Sequence, residues 1–379
     1  MDLDACKAAF ASPPVEYRPA PFWFWNDHLD STRLIEQFDS LIDAGMGGAV
    51  LHARGGLDAS EYLDESWFDA IGSIVKRAAE RETKIWLYDE LGWPSGSAGG
   101  RVLRAHPDLR SMRLVMHDVS VFEIGALDTL PHDNIVAAYV VKRSDPEHGI
   151  LHRTDRGNPL PSAVTLLPDR IEYEPVEWPL KREAIVGQRV LLFECRRDGG
   201  TIDYLDPRGA EAFLESTHEE YHRRFSEYFG TTITHSFMDE AGMLVGAATL
   251  PWTGNFAQRF RETRGYDLFA RLPALFFDVP GHEQVRYDFW NLATELFREG
   301  FGIPMHRWCE QHGIHYSGHY VFETTLKEAT RQLGSTMPLY EYQGMPGIDV
   351  LGGDFYSRRF APEDFGMYTV MLKQAASVV

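Results

Sequence analysis

The stretch KIWLYDELGWPSGSAGG, Lys84 to Gly100, decides the fold. Ile85, Trp86, Leu87 and Tyr88 form an unbroken apolar run, as a strand buried in a parallel sheet requires. The run ends on two adjacent carboxylates, Asp89 and Glu90, and then breaks into a loop of Gly, Pro and Ser. A buried strand that turns acidic at its carboxyl end is what the catalytic rim of a parallel α/β barrel presents. Trp93 in the loop offers a flat apolar face beside those carboxylates, suited to the C–H face of a sugar ring. Taken alone, the run fits equally well an ordinary strand end with Asp89 capping a helix.

The pattern recurs along the chain. Thr232 to Met238 is β-branched and apolar and ends on Asp239-Glu240; Gly47 to Leu51 ends on His52-Ala53-Arg54. Ile314 to Phe322 runs into Glu323, Ile348 to Leu351 into Gly352-Gly353-Asp354, and Pro21 to Asn26 into Asp27-His28. With Lys84–Tyr88 these make about six strand candidates with polar carboxyl ends, several separated by helical patterns, as a (β/α) barrel demands. Leu34, Ile35, Phe38, Leu41 and Ile42 share one face of a helix over Ser31–Ala44, which Gly45 ends. Ser66–Arg81 is the next helix. Asp206 as N-cap and Pro207 at the first helical position open a third, running to Phe229.

The β-α rhythm breaks between about Leu109 and Arg197. Arg113–Met116, Ile135–Lys142 and Glu183–Glu194 read as strands punctuated by Pro, Asp and Gly, which predicts an inserted antiparallel β domain. The expected architecture is α/β: a TIM (β/α)8-type barrel, incomplete, with this insertion. Residues 1–108 hold its first three strands, 109–200 the insertion, and 201–379 three further strands. Trp252–Leu275 reads as a helix-rich excursion, and Val285–His312 as a long helix kinked or split by Gly302 and Pro304. A barrel closes with eight strands and about six are visible, so the chain is expected to stop before closure, within a helix that begins at Tyr368.

Composition narrows the function. The 379 residues carry 37 Lys+Arg against 56 Asp+Glu, a formal net charge of −19, which argues against nucleic acid or an anionic membrane as partner. Cys6, Cys195 and Cys309 are too few and too scattered for a disulfide framework or a Cys-rich zinc site. The first residues lack the apolar core of a signal peptide and no run approaches a membrane span, so a cytoplasmic location is expected. Neither a Walker loop nor a strand-linked Gly-x-Gly-x-x-Gly occurs, and no nucleotide cofactor is expected.

FWFWN, GMGGAVLHARGG, YDELGWPSGSAGG, YLDPRGAEAFLESTHEEYHRRF leading into HSFMDEAG, GHYVFE and PGIDVLGG together resemble the glycoside hydrolase family 106 α-L-rhamnosidases and their relatives. The resemblance runs from about Phe22 onward and is weakest across the β insertion. It implies a TIM-barrel catalytic domain, accessory β domains, an inverting mechanism, often calcium, and a carbohydrate substrate. Carried onto this chain, Glu240 at the end of HSFMDE matches the family's general acid. The family's base lies on a later strand ending in Ser-Glu, and no such pair follows Gly353 here. The resemblance thus also implies that the chain is C-terminally truncated. A non-catalytic carbohydrate-binding barrel is the alternative, and a metal-dependent amide hydrolase a distant third.

Glycoside cleavage needs a carboxylic acid for the leaving oxygen and a second carboxylate. Phe237, Met238 and Asp239 around Glu240 would raise its pKa, as an acid requires. Glu323 is the in-chain candidate for the second carboxylate or a calcium ligand; a surface helix start is the plainer account. Should the chain prove complete, Glu90, Glu323 and Asp354 are the field from which the second carboxylate must come. Asp89 and Glu90 suit sugar hydroxyls first, and otherwise a cation or the second carboxylate; strand alternation allows only one of them to face inward. His52, His235, His319 and Asp239 lie near strand ends, where they would bind sugar hydroxyls or serve as satisfied structural groups. Trp25, Trp23 and Trp93 would stack on a pyranose or pack the barrel mouth.

Overall fold

The computed structural model describes residues 2–121, 133–145, 170–180, 185–246, 248–323, 325–349 and 362–378. Its strands, in chain order, are β1 (Phe22–Trp25), β2 (Gly48–Ala53), β3 (Lys84–Leu91), β4 (Met112–Val121), β5 (Ile135–Asp145), β6 (Arg170–Val176), β7 (Gln188–Arg196), β8 (Ile233–Ala241), β9 (Thr249–Trp252), β10 (His315–Tyr320) and β11 (Met345–Pro346). The chain divides into two units, Met1–Leu109 with Asp206–Gly242 and Phe297–Val379, and Arg110–Leu205 with Met243–Leu296.

The first unit is built on a six-stranded sheet in the order β1-β2-β3-β8-β10-β11, with every described pairing parallel. Helices connect its strands. Asp30 caps Ser31–Asp43 by accepting from the Thr32 and Arg33 amides at 2.9 and 3.2 Å. Asp64 caps Glu65–Glu80 through the Trp67 amide, and Asp206 caps Pro207–Ser216. Phe38, Trp67, Ile71, Ile74 and Val75 from two of these helices are fully buried, and all of β2 is buried as well. This layer of apolar side chains between helices and sheet is the core that fixes where the strand ends lie. The helix expected from Pro207 to Phe229 is two helices, broken at Thr217, whose hydroxyl bonds back to Phe213 O at 2.7 Å. The long helix is split as expected near Gly302 and Pro304: a π-helical turn, Arg298–Gly302, separates His282–Phe297 from Ile303–Gln311.

The sixth strand is Met345–Pro346, earlier than the expected Ile348–Leu351, of which residues 350 and 351 lie outside the described residues. Pro346 pairs with Gly318 in the register of β10, which sets this edge. Among the described residues β1 and β11 are not paired with each other, so the architecture established is mixed α/β with an open parallel sheet.

The second unit holds the antiparallel sheet β6-β5-β7-β4-β9. Ala138, Val140, Ile185, Val190 and Leu192 form a buried cluster on it. This unit reaches beyond the expected 109–200. Thr249–Trp252, read from sequence as part of the barrel's continuation, pairs antiparallel with β4 and so joins this sheet. No helix among the described residues is long and apolar enough to cross a membrane.

Candidate active site at the carboxyl ends of the parallel strands

β8 and β10 pair in register from His235–His315 to Asp239–His319, and then Tyr320 pairs with Ala241. Glu240 is therefore an extra residue, a bulge, and its φ is +52°. A left-handed backbone at a residue with a large side chain costs about 1–3 kcal/mol and persists only where the surroundings impose it. Gly318 assists the close approach of the two strands. Its φ is +131°, and a Cβ there would lie 2.0 Å from Met238 O.

Asp239 is held from two sides. The His319 Nε2–H donates to Oδ1 at 2.6 Å, and the Tyr88 hydroxyl donates to Oδ2 at 2.5 Å. The other imidazole nitrogen, Nδ1, lies 3.3 Å from Glu323 Oε1, at ion-pair distance but without hydrogen-bond alignment. Glu323 Oε1 in turn accepts the Asp349 amide at 2.8 Å. Burial alone would pull the His319 pKa down, but the hydrogen bond to Asp239 and the charges of Asp239 and Glu323 outweigh it and push it up to about 10. Burial pushes Asp239 up, and its bonds to His319 and Tyr88 more than reverse that, leaving it below the usual range. The result is a buried imidazolium–carboxylate pair.

Glu240 lies half-buried beside this pair. Burial, then the Asp239 charge, with smaller contributions from Asp349 and Glu323, raise its pKa against the opposing pull of His319. Asp349 is raised as well, first by burial. One ligand atom each of Glu240, His319 and Asp349 lies within 4.8 Å of the others. Four carboxyl groups thus surround one cation, and the half-buried Glu240 is placed to retain a proton where an isolated glutamate has lost it.

Asp89 and Glu90 do not join this group. Alternation turns Tyr88 toward Asp239 and sends Asp89 to the helix side. There its electrostatic neighbours are Tyr221 and Cys309, carried by the helices His218–Phe225 and Ile303–Gln311. Its Oδ1 accepts the Ser95 hydroxyl at 2.5 Å, Oδ2 has no partner, and burial raises its pKa. Glu90 accepts five backbone N–H groups: Leu91 and Gly99 on Oε1, and Gly96, Ser97 and Ala98 on Oε2, at 2.5–3.1 Å. Its oxygens are filled by its own loop, so the structure gives it a loop-organising place and not a sugar contact.

His52 and His235 lie on the same face as Tyr88 and His319. His52 stacks on Tyr88 at 3.5 Å between ring centroids, and neither of its nitrogens has a partner. His235 stacks on Trp86 at 3.9 Å with Nε2 free. Burial, reinforced by Arg54 for His52 and by His315 for His235, lowers both to about 4, so both are neutral. Trp25 packs edge-on against Trp67 behind the sheet and is not part of this face. Trp93 is exposed, and the Arg54 guanidinium sits 4.6 Å from both its ring and that of Phe24. Asp354 lies outside the described residues. Tyr88, Ser95, Arg54 and Asp349 were missed in the sequence; a tyrosine just before an Asp-Glu strand end was the available signal for the first.

Calcium takes six to eight oxygen ligands. The two groups of described residues whose donor atoms converge are Glu219–His222–His312 and Glu240–His319–Asp349, and each contains histidine. In the second the histidine is itself a cation. These donor sets do not fit calcium.

No protein-family profile matches this chain, and no curated protein matches it. Among solved structures, it is similar to the rhamnosidase from Novosphingobium sp. PP1Y, with a TM-score of 0.53 and 12% identity over 89% of this chain and 48% of that one. At that identity the likeness shows the fold alone. This chain spans about half the length of that protein.

Proposed function

We propose that the parallel sheet is the greater part of a (β/α)8-type barrel and that its rim performs the proton-donor half of glycoside hydrolysis, on a terminal α-L-rhamnosyl or related deoxy-sugar residue. The observation that carries this reading is Glu240: a carboxyl bulged out of register at a strand's carboxyl end, with its pKa raised by burial and by Asp239. A general acid needs that protonation state to pass a proton to the departing glycosidic oxygen. The rhamnosidase fold neighbour and the resemblance in the sequence motifs support the substrate class.

Asp239, His319 and Glu323 act as the frame. The charges of Asp239 and Glu323 favour the proton on Glu240 before the reaction, and the His319 cation meets its negative charge afterward. Inversion, the stereochemistry the resemblance implies, needs the second carboxylate about 6.5–9.5 Å from the acid, with room for water. Asp349 lies closer, its donor oxygen within 4.8 Å of that of Glu240, and Glu323 is buried against His319. Both are assigned here to tuning and holding, not to activating water.

The experiment is turnover of an aryl and of an alkyl α-L-rhamnoside by the chain and by Glu240→Gln. Loss of about 10²–10⁴-fold, larger for the alkyl leaving group because it depends more on protonation, supports the reading. Unchanged turnover in the variant removes Glu240 from the role. Trp93, Phe24 and the face they share favour a second reading, sugar binding without turnover. Calorimetric binding of rhamnose by a chain that cleaves neither glycoside would select it.

A further inference from the structure

Glu219 and His222 are three residues apart on the helix His218–Phe225 and so share a face. His312 follows the helix Ile303–Gln311 directly. One donor atom from each lies within 4.8 Å of the other two. The His222 and His312 rings are 4.2 Å apart between centroids. Two further contacts set the chemistry of these donors. His312 Nδ1 lies 2.7 Å from Trp308 O, which fixes Nδ1 as the protonated nitrogen and leaves the Nε2 lone pair for a ligand. The Trp308 indole stacks on His312 at 4.0 Å and donates Nε1–H to Glu219 Oε1 at 2.6 Å, orienting that carboxylate and leaving its second oxygen. A ring nitrogen oriented by a backbone carbonyl and a carboxylate oriented by a second donor are the outer contacts that metal-binding side chains use.

We propose that Glu219, His222 and His312 bind a divalent transition-metal cation of the zinc class. Two imidazoles and one carboxylate match the donor preference of zinc, with a fourth position open. Tetrahedral coordination with bonds of about 2.0–2.1 Å brings donors about 3.3 Å apart, so the three side chains would close in on the ion from their present spacing. The place in the fold indicates the consequence. The first helix leads into β8 through Gly230, the second into β10 through Gly313, and a Cβ on Gly230 would lie 3.1 Å from Gly313 O. An ion here staples the starts of the two strands whose far ends carry Asp239 and His319. It is a structural site, separate from the rim.

The test is calorimetric titration of the chelator-treated chain with Zn²⁺, alongside thermal melts with and without the ion. One Zn²⁺ per chain and a raised Tm are expected for the wild type, with at least tenfold weaker binding and no Tm shift for His222→Ala and His312→Ala. Glu219→Gln preserves the acceptor for Trp308 while removing the charge, and is expected to weaken binding without disturbing the near-ultraviolet circular dichroism of the metal-free chain. Asp349→Asn, at the rim, is expected to bind as the wild type does. No binding by the wild type, binding unaltered in His222→Ala and Glu219→Gln, or binding lost in Asp349→Asn would each overturn the proposal.

Discussion

Asp239 and His319 face each other across paired strands with Oδ1 2.6 Å from Nε2, and each is charged because of the other. Neither would hold a charge at that depth alone. Removing either partner leaves a buried ion without its counterion, so Asp239→Asn and His319→Gln are each expected to cost about 3–5 kcal/mol in denaturant unfolding. The pH dependence follows from the directions of the shifts. His319 is raised from 6.5 to about 10, so its contribution is complete below pH 6.5 and is lost as pH rises toward 10. Asp239 is lowered from 3.8, so its contribution is present above that pH and fades as pH falls further. The stability difference between wild type and His319→Gln is therefore expected to be level from about pH 4 to 6.5 and to shrink toward pH 10. A difference constant up to pH 10 would show that His319 is not the cation described.

Glu240 sits at φ +52°, where glycine is free of strain and glutamate is not. Glu240→Gly relieves about 1–3 kcal/mol of strain and loses part of that to the greater freedom of an unfolded glycine. A net gain of about 1 kcal/mol is expected, together with loss of whatever glycoside cleavage the proposed function entails. Such a gain would fit the proposed role, in which Glu240 serves chemistry at the expense of stability. If Glu240→Gly instead destabilises as much as an ordinary buried truncation, the strain is not real and the argument from it fails.

How much of this the sequence disclosed depends on which contacts decide each feature. The strands ending at Asp239-Glu240 and Asp89-Glu90 and the helices capped by Asp30 and Asp206 were legible, because local patterns set them: apolar runs, caps, and a proline at the first helical position. The break in rhythm at Leu109 was legible for the same reason. The place of Thr249–Trp252 was not, since its partner in β4 lies more than a hundred positions earlier and no local pattern marks that pairing. At the site, alternation set Asp89 and Glu90 on opposite sides of the strand. It could not show that Asp89 turns to the helices while Glu90 is consumed by its own loop. Asp349 escaped notice because its contact with Glu323 joins residues 26 apart through a backbone amide, which any residue type supplies.

Glu90 organises the loop that follows β3. Five N–H groups converge on its two oxygens, and a neutral amide in its place would set an NH₂ group against some of these donors. Glu90→Gln is expected to lose about 3 kcal/mol or more, as unpaired buried donors and the loss of charge-assisted bonds combine. The loss should be local in character. Limited proteolysis is expected to open the chain between Gly92 and Gly100 first, and the fluorescence of Trp93 to change before the global melt. Cleavage elsewhere with this loop intact would contradict the role assigned to Glu90.

Asp89 makes the opposite case from its neighbour. It is 1% exposed, accepts one hydroxyl, and keeps Oδ2 without a partner. Burial raises its pKa, so folding disfavours the ionised form of this group, whose ordinary value is 3.8. A raised carboxyl pKa contributes fully only below the unfolded value and becomes a liability as pH rises above it, because folding must then take up a proton. Asparagine is close in shape, can accept the Ser95 hydroxyl with its amide oxygen, and needs no proton. Asp89→Asn is therefore expected to stabilise the protein at pH 7 by about 1–3 kcal/mol, less the cost of its unpaired NH₂ group. The gain should diminish steadily as the pH of the melt is lowered toward 4. Equal destabilisation at pH 4 and pH 7 would show that Asp89 is ionised in the folded chain and that an ion or a proton donor meets Oδ2.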